Sequence, residues 1–97
     1  MEFLLIAHDG TDEGALDRRL AARERHLALF DEFSRRGHFK YGCAILDDNQ
    51  NMVGSVVVCD FSSRRDLEEL WLSREPYVGD VWKKIEVRQI RTRIPPA

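Results

Sequence analysis

Hydrophobic and polar positions divide this chain into six segments. Phe3 to His8 is apolar on both alternating faces, with Phe3, Leu5 and Ala7 on one and Leu4 and Ile6 on the other. Closed by Asp9-Gly10, this short run predicts a central strand. Thr11 to Gly14 is a polar loop in which Thr11 or Asp12 is placed to cap a helix. That helix is expected from Glu13 to Arg36. At about 100° per residue, Leu16, Leu20, Leu27 and Phe30 share one stripe. Arg23 falls inside the stripe, and Arg19, His26 and Phe33 flank it. A charge and an imidazole at such positions must be paired, solvated from a cleft, or engaged with a ligand. Gly37 after Arg35-Arg36 suits a helix C-terminus.

Beyond Gly37 the period changes to two. His38 to Leu46 carries Phe39, Tyr41, Cys43 and Ile45 in alternation, and Gly42 marks a bulge or a close backbone approach. Asp47 to Asn51 is a turn by composition, and Met52 to Phe61 is a strand apolar on both faces, so the two runs form a hairpin. Ser62 or Ser63 caps a second helix, Arg64 to about Ser73, with Leu67, Leu70 and Trp71 facing inward. Pro76 ends it, because the residue before proline avoids helical geometry. Tyr77 to Asp80 forms a loop, and Val81 to Ile94 is a long last strand. Ile85 and Val87 lie on one face of it and Ile90 and Ile94 on the other, which predicts a bulge or a change of partner surface midway.

The order β-α-β-β-α-β specifies an α+β, ferredoxin-like fold with an antiparallel sheet, the first and third strands central, and both helices on one face. Such a sheet normally alternates apolar and polar residues, because its other face is wet. Here the central strands are apolar on both faces, so the face away from the helices needs a cover. The simplest cover is a second copy packed sheet against sheet, a homodimer.

Composition narrows the function. The 97 residues make one domain, spanning 1–97, with 15 basic and 17 acidic residues and a net charge of -2. That balance gives no basic footprint for nucleic acid. No apolar run approaches the roughly 20 residues of a membrane span. The start, MEFLLIAHDG, is too short and too acidic for a signal peptide, so a cytoplasmic location is expected. Cys43 and Cys59 make no CxxC pair and are expected to be buried free thiols. The three histidines show no metal-binding spacing, and no phosphate loop, dinucleotide fingerprint or nucleophile elbow occurs, so no metal or cofactor is expected.

Several short runs together resemble the YCII-related family of the dimeric α+β barrel superfamily. They are the strand closing in His8-Asp9, the Arg23-x-x-His26-Leu27 run, Gly37-x-Phe39 followed by Gly42, Gly54-Ser55, and Glu75-Pro76-Tyr77-Val78. The resemblance covers nearly the whole chain. It implies a dimer with a cleft beside the helix-bearing sheet, and a histidine–aspartate catalytic pair. His26 matches the histidine position, whereas Glu75 stands at the aspartate position. Glutamate keeps the carboxylate and carries it one methylene further out, a departure that matters where acid–base geometry must hold within about 0.5 Å. The resemblance also implies lyase-like or dehydrochlorinase-like chemistry.

The candidate site is therefore His26 and Glu75 as catalytic residues, with Arg23 and Tyr77 binding substrate. Each has a structural alternative. His26 is either a general acid–base, suited by an ordinary pKa of about 6.5, or a surface histidine stacked on Phe33 or Phe30. Arg23 holds an anionic substrate group, pairs with a buried acid such as Glu75, or lays its aliphatic stem along the core with its head in solvent. Glu75 either orients His26 or merely ends the second helix, and Tyr77 either lines the cleft or packs a loop. Arg19 reads as solvated, His8 and His38 as strand-end residues, and Trp71 and Trp82 as core or interface area. The enzyme reading is acid–base elimination or isomerisation of a small anionic or aromatic molecule. The alternative is a non-catalytic ligand-binding or accessory dimer with a degenerate site.

Overall fold

A computed structural model describes residues 1–96. Its elements follow the expected order: β1 (Glu2–Asp9), α1 (Ala15–Arg35), β2 (Phe39–Leu46), β3 (Met52–Asp60), α2 (Arg64–Asp66), a π-helical turn (Leu67–Leu72) and β4 (Trp82–Ile90). The four strands form one sheet in the order β2-β3-β1-β4, all pairs antiparallel, so the two strands apolar on both faces are indeed central.

Register decides which face each residue serves. Leu5 lies between Val57 and Val87, and Ala7 between Ser55 and Ile85. Phe3, Leu5, Ala7, Val57 and Cys59 are buried on this face with Ala22, Leu29 and Phe33 of α1 and with Leu67 and Trp71 of the π-turn. Fully burying a side chain of this size is worth about 1.5–3 kcal/mol, so this layer supplies most of the hydrophobic stabilisation. The opposite face carries Leu4, Ile6, Val56 and Val58, all only partly buried, with Tyr41 exposed.

Several local expectations are corrected. The buried face of α1 is Ala15, Arg19, Ala22, His26, Leu29 and Phe33, whereas Leu20 is 51% and Leu27 40% exposed. The inward face is thus rotated onto the flank assigned to Arg19 and His26, because those two polar groups find buried partners. Neither Thr11 nor Asp12 caps α1: Gly14 is the N-cap, without a side-chain hydrogen bond, and Asp12 instead binds Arg18. At the other end, Gly37 (φ 82°) sits in the left-handed region. There Gly37 N donates to Ser34 O and His38 N to Phe33 O, the paired bonds of a Schellman stop.

Ser63 Oγ accepts from Asp66 N, so the second helix begins as expected, but it passes at once into the π-turn. Leu67 and Trp71 face inward while Leu70 is 41% exposed, since a wider turn changes which residues share a face. β4 ends at Ile90, and Ile94 is 82% exposed. Its ladder with β1 runs in register from Lys84 to Ile90, and the irregularity lies between His8 and Asp9, where the partner changes from Lys84 to Trp82. Cys59 is buried as expected and its thiol is pushed up to about 12 by burial, but Cys43 is exposed on β2.

Gly42 is a close approach. A Cβ there would lie 2.4 Å from the Phe30 ring, so the absent side chain lets α1 settle on β2. Gly42→Val is expected to destabilise the fold by about 1–3 kcal/mol, as overpacking does. Urea unfolding of the two proteins measures it, and an unchanged midpoint would show that Phe30 moves aside freely.

Candidate active site

The π-turn ends at Leu72, and in the loop that follows Glu75 is directed toward α1, where it meets His26. Glu75 is 5% and His26 9% exposed. His26 Nδ1 lies 2.8 Å from Glu75 Oε2. The same oxygen accepts from Tyr77 N at 3.1 Å, and Oε1 accepts from Trp71 Nε1 at 3.1 Å. Trp71 Nε1 and Tyr77 N can only donate, and an ionised carboxylate can only accept. His26 therefore carries its proton on Nδ1 toward Glu75, which leaves Nε2 as the nitrogen with no partner among the described residues. Trp71, one turn earlier, fixes the second oxygen, so the longer glutamate side chain still brings its carboxylate to His26.

Tyr77 completes the imidazole's surroundings. Its ring stacks on His26 with centroids 3.9 Å apart and planes 10° from parallel, while Trp82 meets His26 edge-on at 5.9 Å. The expected stacking of His26 on Phe30 or Phe33 is replaced by this contact. Burial raises the Tyr77 phenol above its ordinary value, an effect partly offset by Arg19 and Arg23.

Beneath this pair lies a second polar group that sequence reading missed. Arg19, expected to be solvated, is 4% exposed. Its Nη1 is 3.0 Å from both Asp9 carboxylate oxygens, its Nη2 donates to Ser55 Oγ at 2.9 Å, and its plane lies over Tyr77 with Cζ 5.0 Å from the ring centre. Trp82 Nε1 also donates to Ser55 Oγ, at 3.1 Å. A buried guanidinium is tolerable only with such partners. The available signal was Asp9, an acid ending a buried strand, together with the unbroken helical spacing Ala15, Arg19, Ala22, His26, Leu29, Phe33.

Arg23 does not sit in the core and does not pair with Glu75. It is exposed, at the rim of a cavity between α1 and the sheet. Arg19, His26 and Tyr77 form the cavity's polar end, Leu27 and Phe30 one wall, and Gly42, Ala44, Ser55 and Val57 the sheet side. Its volume is about 220 Å³. An apolar cavity of roughly 150 Å³ holds benzene, so one substituted ring fits here. Among the described residues no group of three His, Cys, Asp or Glu side chains is placed to hold a metal, and no helix is long and apolar enough to cross a membrane.

Two outcomes follow from this geometry. Nitrogen-15 spectra are expected to show His26 as the Nδ1–H tautomer in its neutral form, and Glu75→Leu, which removes the acceptor, is expected to lose that preference. Asp9→Ala leaves the Arg19 charge buried and unpaired, and should lower stability by about 3–5 kcal/mol in urea unfolding. A loss below about 1 kcal/mol would mean that Arg19 simply turns out to solvent.

The chain matches the YCII-related domain model over residues 1–91. No curated protein matches it. Among solved structures it is similar to 5-chloro-2-hydroxyhydroquinone dehydrochlorinase from Burkholderia phenoliruptrix AC1100, in complex with 2,5-dihydroxybenzoquinone, with a TM-score of 0.78, 20% identity and 94% of each chain covered. A dimeric ferredoxin-like protein of unknown function from Jannaschia sp. CCS1 aligns with a TM-score of 0.54 and 13% identity, over 94% of this chain and 98% of that one. A NIPSNAP domain protein from Burkholderia xenovorans aligns with a TM-score of 0.55 and 10% identity over 100% of both. The ferredoxin-like α+β architecture is common to these likenesses, and with the domain model spanning nearly its full length, the chain belongs to the YCII-related family.

Proposed function

We propose that this protein is an acid–base enzyme that eliminates a leaving group from, or isomerises, a small anionic or aromatic molecule held in the cavity beside His26. The 2.8 Å contact between His26 Nδ1 and Glu75 Oε2 carries this reading. With Nδ1–H held by the carboxylate, Nε2 presents its lone pair to the substrate. In elimination the substrate proton passes to Nε2, the electrons of the broken bond form a new double bond, and the leaving group departs with its own bonding pair. Glu75 supports the positive imidazolium formed in that step. Arg23 at the rim holds the substrate's negative charge, and Tyr77 keeps the imidazole plane fixed. The dehydrochlorinase among the similar structures supports this class of chemistry. The degenerate-site alternative rested on the carboxylate standing one methylene too far out, and the contact with His26 weakens that ground.

The same proposal includes a cytoplasmic homodimer packed through the sheet face that bears Leu4, Ile6, Val56 and Val58. The support is the apolar centre of that face, the dimeric description of one similar structure, and free thiols suited to a reducing compartment.

Chloride release from 5-chloro-2-hydroxyhydroquinone is the direct assay. His26→Gln is expected to lower the rate at least 100-fold, the usual scale of a lost general base, with the fold intact by circular dichroism. Equal rates in the two proteins would falsify the assignment to His26. For assembly, sedimentation at micromolar concentration should give a dimer for the wild type and a monomer for Ile6→Glu; a monomeric wild type removes the sheet-face interface.

A further inference from the structure

Ser55 occupies an unusual place in the hydrogen-bond count of the cavity. It lies on β3 between Ala7 and Ala44 in register, is 3% exposed, and contributes to the cavity's sheet side. Its Oγ accepts from Arg19 Nη2 at 2.9 Å and from Trp82 Nε1 at 3.1 Å. A hydroxyl has two acceptor lone pairs and one O–H. Both acceptor positions are taken, by donors that cannot reverse their roles: a guanidinium and an indole carry no acceptor. The hydroxyl can therefore only donate, and among the described residues no acceptor takes its proton. One of the two donors is a buried cation, itself fixed by Asp9, so electron density is drawn from Oγ and the free O–H is a strengthened donor.

We infer that the Ser55 hydroxyl is an obligate hydrogen-bond donor to the cavity's ligand, and that the site selects a planar ring compound presenting a carbonyl or oxyanion oxygen to it. The inference rests on the reading that this cavity holds the substrate, and it adds which atom type must face β3. The hydroxyl cannot receive a proton, so a ring that offers only donors there leaves a buried O–H opposed. A ring without oxygen leaves it unpaired, at the cost of a buried polar group. An oxygen that gains negative charge during elimination is stabilised most, because the donor is fixed before the reaction begins. Arg23 at the rim and Ser55 on the sheet side thus act on different parts of the ligand: one neutralises charge, the other recognises an acceptor.

Binding of 2,5-dihydroxybenzoquinone and of toluene to the full chain provides the test, by calorimetry and by the indole N–H resonances. A hydrogen bond to a charged partner corresponds to roughly tenfold or more in affinity. Wild type should bind the quinone at least about tenfold more tightly than toluene. Ser55→Ala should lower quinone affinity by about tenfold or more while toluene binding changes less than threefold. Equal losses for both compounds in Ser55→Ala mean a collapsed cavity wall and overturn the inference, as does a wild type that does not bind the quinone. In the wild type, the Trp82 indole N–H should move downfield with the quinone and not with toluene, because Trp82 donates to the oxygen whose O–H is engaged. An equal or absent shift overturns the inference without any substitution. Proton transfer by His26 is read separately, by chloride release and by the tautomer spectrum, so its failure is distinguishable from failure at Ser55.

Discussion

One carboxylate holds the polar end of this cavity together. Glu75 accepts from Trp71 in the π-turn, from its own loop at Tyr77 N, and from His26 on α1. Three separate segments therefore converge on two oxygen atoms with little access to water. Removing any donor would leave a buried acceptor underused, and removing the carboxylate would strand three donors. The π-turn has a physical reason in this light. It spans the gap between a short α-helical start at Ser63 and a tryptophan that must lie one turn before Glu75. π-turns interrupt helices mostly where function demands a particular side-chain placement.

The second polar group, Asp9–Arg19–Ser55–Trp82, is coupled to the first through rings rather than through protons. Tyr77 stacks on His26 and lies against the Arg19 guanidinium, and Trp82 meets both Tyr77 and His26 edge-on while bonding to Ser55. Aromatic contacts of this kind fix orientation with a modest energy each, about 0.5–1.5 kcal/mol. Their value is geometric: the His26–Glu75 contact and the Ser55 hydroxyl stand in a set relation to one another.

Much of this was legible before the structure. Strand order followed from the β-α-β-β-α-β sequence of elements, and the His26–Glu75 pairing from the family resemblance carried by two short runs. What was not legible depended on partners distant in sequence. Arg19 is ranked by hydropathy as a surface residue, and only the arrival of Asp9 and Ser55 beside it makes burial tolerable. Once Arg19 and His26 turn inward, Leu20 and Leu27 are carried outward, so the helix face was misread by one flank. The π-turn left no mark in the local pattern, because Leu67, Leu70 and Trp71 fit an ordinary helix equally well. The irregularity in β4 was expected midway but lies near its start, where Lys83 is passed over between the partners of His8 and Asp9.

The bare backbone at Gly42 separates two jobs within one small space. Phe30 closes against β2 because no side chain intervenes there, so the far wall of the cavity is set by a single aromatic ring and a missing methyl group. His26 and Tyr77 lie at the other end, with Glu75 bonded to both. A side chain at Gly42 would meet Phe30, away from the imidazole and its carboxylate. If the cavity holds a ring compound as proposed, two small residues on an edge strand, Gly42 and Ala44, decide which ring it admits, and the contact between His26 and Glu75 lies outside their reach.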